Sequence, residues 1–179
     1  MYHYLPEDFM REAEVTAQKE LFDKIIDFLR GIGLKIKFEE LNTECFLPGI
    51  SIVDGELVID LNKLKYPGDI LHEAGHIAVV PSEERSTLNE HSIAQREHKD
   101  AEEMMAIAWS YAVCVHLEID AAFVFHEYGY KNGGSSIAEN FKEGRYFGVP
   151  MLQWVGMALE KRNNKNMPVY PSMLLWLRS

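Results

Sequence analysis

Apolar positions Phe9, Ala13, Leu21, Ile25, Ile26 and Leu29 recur at helical spacing between Pro6 and Arg30, and Gly31 and Gly33 then stop the pattern. The segment predicts an amphipathic N-terminal helix. Leu34 to Glu39 alternates apolar and charged residues, as a strand with one wet face does. Gly49 to Val53 and Glu56 to Asp60 flank Asp54-Gly55, a pair that supplies the positive backbone angles of a tight hairpin turn. Pro67 suits a first helical position, and Ile70 to Val80 continue as a mostly apolar helix until Pro81 prevents extension. Ser82 to His98 is polar and reads as irregular. Asp100 then opens a long helix through about Glu118, with Glu103 three residues on in the arrangement of a capping box.

The remaining chain predicts smaller pieces. These are a short helix over Ala121 to His126, a Gly-rich loop from Tyr128 to Ser135, and a helix capped by Ser136 with Glu139 and running to Lys142. An apolar helix over Pro150 to Leu159 follows, in which Met151, Trp154 and Met157 read as core. The tail from Asn163 is polar first and apolar later, so it packs back through Leu174, Leu175 and Trp176. Gly133 to Ser136 after Lys131 lacks the Walker pattern, and reads as a flexible loop that could lie over a cleft as a lid. The whole predicts one α+β domain over residues 1–179.

Composition narrows the class of partner. The 179 residues are 47% hydrophobic and 26% charged, a balance that supports a sizeable core. Eighteen basic against 28 acidic residues give a net charge of −10, which repels phosphate backbones and anionic lipid. The basic residues are scattered among acids, as in Lys35 to Glu40 and Glu160 to Lys165, so neither nucleic acid nor membrane is an expected partner. The longest apolar run, Met104 to Val115, is shorter than the roughly 20 residues that a bilayer requires. The first residues lack the basic start and apolar core of a secretory signal, and Cys45 and Cys114 alone make no disulfide framework. A cytoplasmic protein is the expectation.

The chemistry is concentrated at Leu71-His72-Glu73-Ala74-Gly75-His76, which matches His-Glu-x-x-His. Residues four apart lie one turn above each other in a helix, so both imidazoles can grip one ion. Glu73 then sits beside the metal rather than on it, placed to take a proton from water as a general base. Catalytic zinc holds three protein ligands and a water, whose pKa falls from about 15.7 to about 7. His72 and His76 could instead be polar neighbours on a buried helix. Two imidazoles and a carboxylate among Ile70, Leu71, Ile77, Ala78, Val79 and Val80 would be costly there without a metal. The third ligand is open from the residues alone: Glu102 and Glu103 lie 26 and 27 positions beyond His76, and His98 and His91 are rivals. A donor to a developing oxyanion is also needed, for which His126 or Tyr130 is favoured, with plain loop packing of this aromatic stretch as the alternative. Tyr111 could reach toward the site, although core packing explains it more simply.

The hairpin, the His-Glu-Ala-Gly-His helix, the polar connection and the Glu-led helix resemble the gluzincin-type zincins, and most of all the minimal ImmA/IrrE-type metallopeptidase domain. The resemblance covers roughly residues 50–115. Val79 and Ser82 stand where the metzincin subclass has Gly and His, which excludes that subclass. The resemblance implies a zincin-like fold, with a small antiparallel sheet flanking an active-site helix and a second helix bearing a ligand. It further implies a zinc site of His72, His76 and Glu103 with Glu73 as base, a peptide or protein substrate, and an edge strand able to pair with an extended peptide. The expected reaction is hydrolysis of a peptide or amide bond. The competing expectation is a regulatory or partner-binding protein that keeps the zinc fold with little turnover, or a module dedicated to one protein partner.

Overall fold

A computed structural model describes residues 7–42, 45–130, 133–160 and 167–179, with side chains from Val15 onward. Among the described residues the chain is mixed α and β. Its helices are α1 (Glu7–Gly31), α2 (Asp69–Ala78), α3 (Glu90–Gln95), α4 (Lys99–His116), α5 (Gly134–Lys142) and α6 (Val149–Trp154), and its strands are β1 (Ile36–Phe38), β2 (Ile50–Val53) and β3 (Glu56–Ile59). No described helix is long and apolar enough to cross a membrane.

The predicted hairpin forms β2 and β3. Asp54 and Gly55 both take positive φ, 50° and 73°, as a tight turn between right-twisted strands demands. The sheet order is β1-β3-β2, and β1 runs parallel to β3 with Ile36 opposite Leu57. The expectation of an antiparallel sheet is therefore corrected to a mixed one. The hairpin signal constrains only neighbours in sequence. Here the chain after β1 crosses the sheet before β2, so β3 becomes central and pairs on both sides. Asp60, almost fully buried, fastens that crossing by accepting from the Leu41 backbone N–H at 3.0 Å.

Among the described side chains of α1, those of its C-terminal half pack on the body. Ile25, Ile26 and Leu29 are buried while residues 15–20 are exposed, and the side chains of Phe9 and Ala13 lie outside the described residues. The core is continuous from these side chains through Ile50, Ile52, Leu57 and Ile59 of the sheet to α2 and to Trp109 and Val113 of α4. Such a face, removed from water at about 25 cal/mol per Å², supplies most of the drive to fold.

Several local expectations need correction. The polar connection holds a short helix, α3, because Asn89 and Ser92 cap each other reciprocally, a pair outside the usual Ser/Thr and Glu/Gln signature. α4 begins at Lys99 with no side-chain cap, so Asp100 and Glu103 form no capping box. α5 begins at Gly134 without a side-chain cap, and Ser136 lies inside it. The expected helix over Ala121 to His126 is a single 3-10 turn at Ala121–Phe123, and α6 stops at Trp154. Trp154 is 90% exposed, whereas Met157 is fully buried. The tail does return to the body through Trp176, whose carbonyl accepts from the Trp109 indole, and also through Tyr170, whose hydroxyl donates to Ala108 O. Leu175 is exposed. The charge run from Glu160 to Lys165 and Lys131 of the glycine-rich loop fall almost wholly outside the described residues.

Candidate metal centre

The site is built where α2 crosses α4. The helices touch at Gly75, where an added Cβ would lie 3.0 Å from Ala106 O and 3.2 Å from Ala106 Cα. Ser110 ties the pair further, its hydroxyl donating to Ala106 O at 2.7 Å and lying 3.2 Å from Leu71 O. That close crossing brings the first turn of α4 against the His-Glu-x-x-His face of α2.

His72 Nε2 and His76 Nε2 are 3.2 Å apart. Glu103 completes a triangle, with Oε1 3.6 Å from His72 Nε2 and Oε2 3.2 Å from His76 Nε2. These three residues could hold a metal ion. A tetrahedral ion with bonds of about 2.0–2.1 Å spaces its ligand atoms about 3.3 Å apart, close to the 3.2 Å between the two imidazole nitrogens, while each Glu103 oxygen approaches a different imidazole. The protonation pattern fits as well. Burial, with the neighbouring His76 adding, pushes His72 down to about 3, so its imidazole is neutral. Burial opposes charge on His76 too, but its hydrogen bond to Glu103 and the charges of Glu73 and Glu103 hold its pKa above the ordinary value. Burial would raise the Glu103 carboxyl, but its hydrogen bond to His76 and the two imidazoles beside it hold it below its usual range. The metal-free cluster thus coheres by sharing protons that a divalent cation would displace.

The rival ligands stand elsewhere. Glu102 is buried and bound in a two-pronged pair by Arg96, with Nε–Oε2 at 2.6 Å and Nη2–Oε1 at 2.9 Å. Arg96 also reaches Glu84 at 2.8 Å, closing the connection between α2 and α4. His98 is exposed ahead of α4, and His91, although on the cavity wall, is not one of the converging three. Among the described residues the cluster therefore has three members.

Glu73 is largely buried at the floor of a cavity of roughly 780 Å³ that also exposes His72, His76, Glu103, Asp69 and Tyr130. Burial pushes its carboxyl up to about 7, countered in part by His76 and reinforced by the charges of Glu90, Glu103 and Asp69. Tyr130 comes from the loop after the 3-10 turn. Its ring meets His72 edge-on at 5.3 Å, its buried hydroxyl makes no hydrogen bond to the described chain, and its backbone is left-handed at φ 53°. Burial, then the charges of Glu103, Asp69 and Glu73, keep this phenol protonated far above neutrality.

His126, the other donor candidate, stands apart from the three converging residues. Its Nε2 lies 2.9 Å from Asp69 Oδ1 and its ring stacks on Tyr66 at 4.4 Å, so it is set behind Asp69 and lines no part of the cavity. Of the two donor candidates the geometry leaves Tyr130 facing the His72–His76–Glu103 group, with His126 bracing the loop that carries it. Tyr111 packs among Phe141, Tyr146 and Tyr170 in the core. Sequence reasoning passed over Asp69, although its place three residues before His72 puts it on the motif face of α2. No protein-family model, curated protein or solved structure matches the chain.

Proposed function

We propose that this protein is a zincin-like, zinc-dependent hydrolase of a peptide or amide bond. The observation that carries the reading is the convergence of His72, His76 and Glu103 beside a buried Glu73, at a cavity wide enough for substrate. Zinc suits two imidazoles and a carboxylate, and when bound in an open site it acidifies water and polarises a carbonyl. Glu73, buried beside the proposed ligands, takes a proton from the attacking water and passes it to the leaving nitrogen as the C–N bond breaks. The products are a carboxylic acid and an amine, with the water's atoms divided between them. The Tyr130 hydroxyl, protonated and without a partner, donates to the carbonyl oxygen as negative charge develops there. Asp69 and His126 hold the Tyr130 loop against α2.

Three ligating residues favour an open site over the regulatory alternative, which requires a fourth protein ligand to close the coordination. The test is Glu73→Gln in zinc-loaded protein, assayed on a mixture of synthetic peptides by mass spectrometry. Retained zinc with cleavage reduced by about 10²–10⁴-fold supports the reading. Cleavage at the wild-type rate refutes it.

A further inference from the structure

The cavity has two unlike halves. One is the metal cluster. The other is an apolar wall made by Phe46, Leu47 and Ile50 at the entry to β2 and by Ile93 and Ala94 of α3. Phe46 is 87% exposed at this wall, a large aromatic surface that folding does not bury. Burying a benzyl or isobutyl group there would remove apolar area on both partners from water. The cavity lining carries Glu90 and Asp100 against Lys99, with His91 on α3 beside Glu90, and the chain as a whole bears −10. A cationic group beside the apolar one therefore meets a favourable field, and an anionic one does not.

We infer that the site, read as a metallohydrolase centre, selects a bulky apolar side chain next to the bond it cleaves, in a peptide carrying positive charge. Phe46 is then a specificity-determining residue. It closes over the substrate side chain from one side while Ile93 and Ala94 of α3 close from the other. This inference rests on the proposed metal site but makes a separate claim about the wall beside it.

A set of hydroxamates separates the two claims, because each chelates zinc whether or not the protein turns over substrate. Acetohydroxamate carries neither feature, hydrocinnamoyl hydroxamate the phenyl group, glycine hydroxamate the ammonium, phenylalanine hydroxamate both, and succinic monohydroxamate a carboxylate. Binding to zinc-loaded protein is measured by calorimetry. The phenyl group is expected to tighten binding about tenfold. The ammonium should add about threefold at low salt, fading as salt rises, and the carboxylate should weaken binding. Phe46→Ala, at a solvent-exposed position whose loss leaves the core intact, should remove most of the phenyl gain, and Glu90→Gln with Asp100→Asn the ammonium gain. Acetohydroxamate and hydrocinnamoyl hydroxamate binding equally overturns the inference while leaving the metal site standing. Failure of every hydroxamate to bind the zinc-loaded protein overturns both.

Discussion

Gly75→Ala tests whether the crossing of α2 and α4 sets the geometry of the metal cluster. A Cβ at position 75 would sit 3.0 Å from Ala106 O, 3.2 Å from Ala106 Cα and 3.2 Å from Ala106 Cβ. Carbon contacts relax near 3.5–4.0 Å, so the two helices must part by roughly 0.3–0.5 Å. Ala106 is fully buried and two of these contacts are to backbone, so no side chain can swing away to absorb the strain. Glu103 lies one turn before Ala106 on α4, and His72 and His76 flank Gly75 on α2. The separation therefore falls directly between the carboxylate and the imidazoles, and it exceeds the roughly 0.2 Å that a metal site tolerates.

Two opposing effects bear on stability. Overpacking costs about 1–3 kcal/mol, and alanine in place of glycine inside a helix returns about 1 kcal/mol. The net loss is then roughly 0–2 kcal/mol, a fall in Tm of no more than about 8 °C for a chain of this size. Zinc affinity should fall about tenfold, as it does when the supports of a metal ligand are disturbed. Gly31→Ala is the control, because that position ends α1 with nothing within 4 Å of an added Cβ. It should raise Tm slightly and leave zinc affinity unchanged. The measurements are competition against a chromogenic chelator and thermal denaturation of the metal-free proteins. Wild-type zinc affinity in Gly75→Ala would refute the claim that this close approach positions Glu103.

Three further outcomes follow from other contacts. Glu103→Gln should weaken zinc binding at least tenfold, whereas Glu102→Gln should keep zinc affinity and lose about 1–3 kcal/mol, because it breaks the buried pair with Arg96. Chelator competition and denaturation of the two variants, side by side, distinguish a ligand from a structural carboxylate. Tyr130→Phe should lower turnover about a hundredfold without moving zinc affinity, and His126→Ala should lower both turnover and Tm by freeing the loop and leaving Asp69 unpaired. Burial holds the Cys114 thiol up at about 12, so between roughly pH 9 and 12 the native state keeps a proton that the unfolded chain releases. Stability should fall with rising pH across that window, by about 1.4 kcal/mol per unit from this group, and denaturant melts of Cys114→Ala should lack that contribution.

The elements that sequence made legible are those whose signals are local. His72 and His76 one turn apart, the Asp54-Gly55 turn and the apolar run of α4 each declare themselves within a few residues. The parallel pairing of β1 with β3 does not, because it depends on how the segment after Phe38 crosses the sheet and on the Asp60 carboxylate that receives Leu41. α3 escaped notice because its cap is a side-chain pair of Asn89 and Ser92 rather than a familiar motif, and its apolar content is only Ile93 and Ala94. The roles of His126 and Asp69 were hidden for the same reason. They lie 57 residues apart, and only the packed structure shows that each occupies the other.

The choice between Glu102 and Glu103 shows most clearly what folding adds. Adjacent residues on a helix point about 100° apart, so one rotation of α4 would present either carboxylate to the imidazoles. Both open the same helix and carry the same charge, and neither position is privileged by spacing. The rotation is settled eight residues later, by Ser110 reaching the α2 backbone, and within the crossing, by Ala106 seated against Gly75. With those contacts made, Glu103 faces the histidines and Glu102 turns to Arg96, whose charge satisfies a carboxylate that burial would otherwise expel. The arginine thus has a consequence for the candidate metal site that it never touches. It fills the hydrogen-bonding capacity of the competing acid, so that a single carboxylate remains to join the two imidazoles.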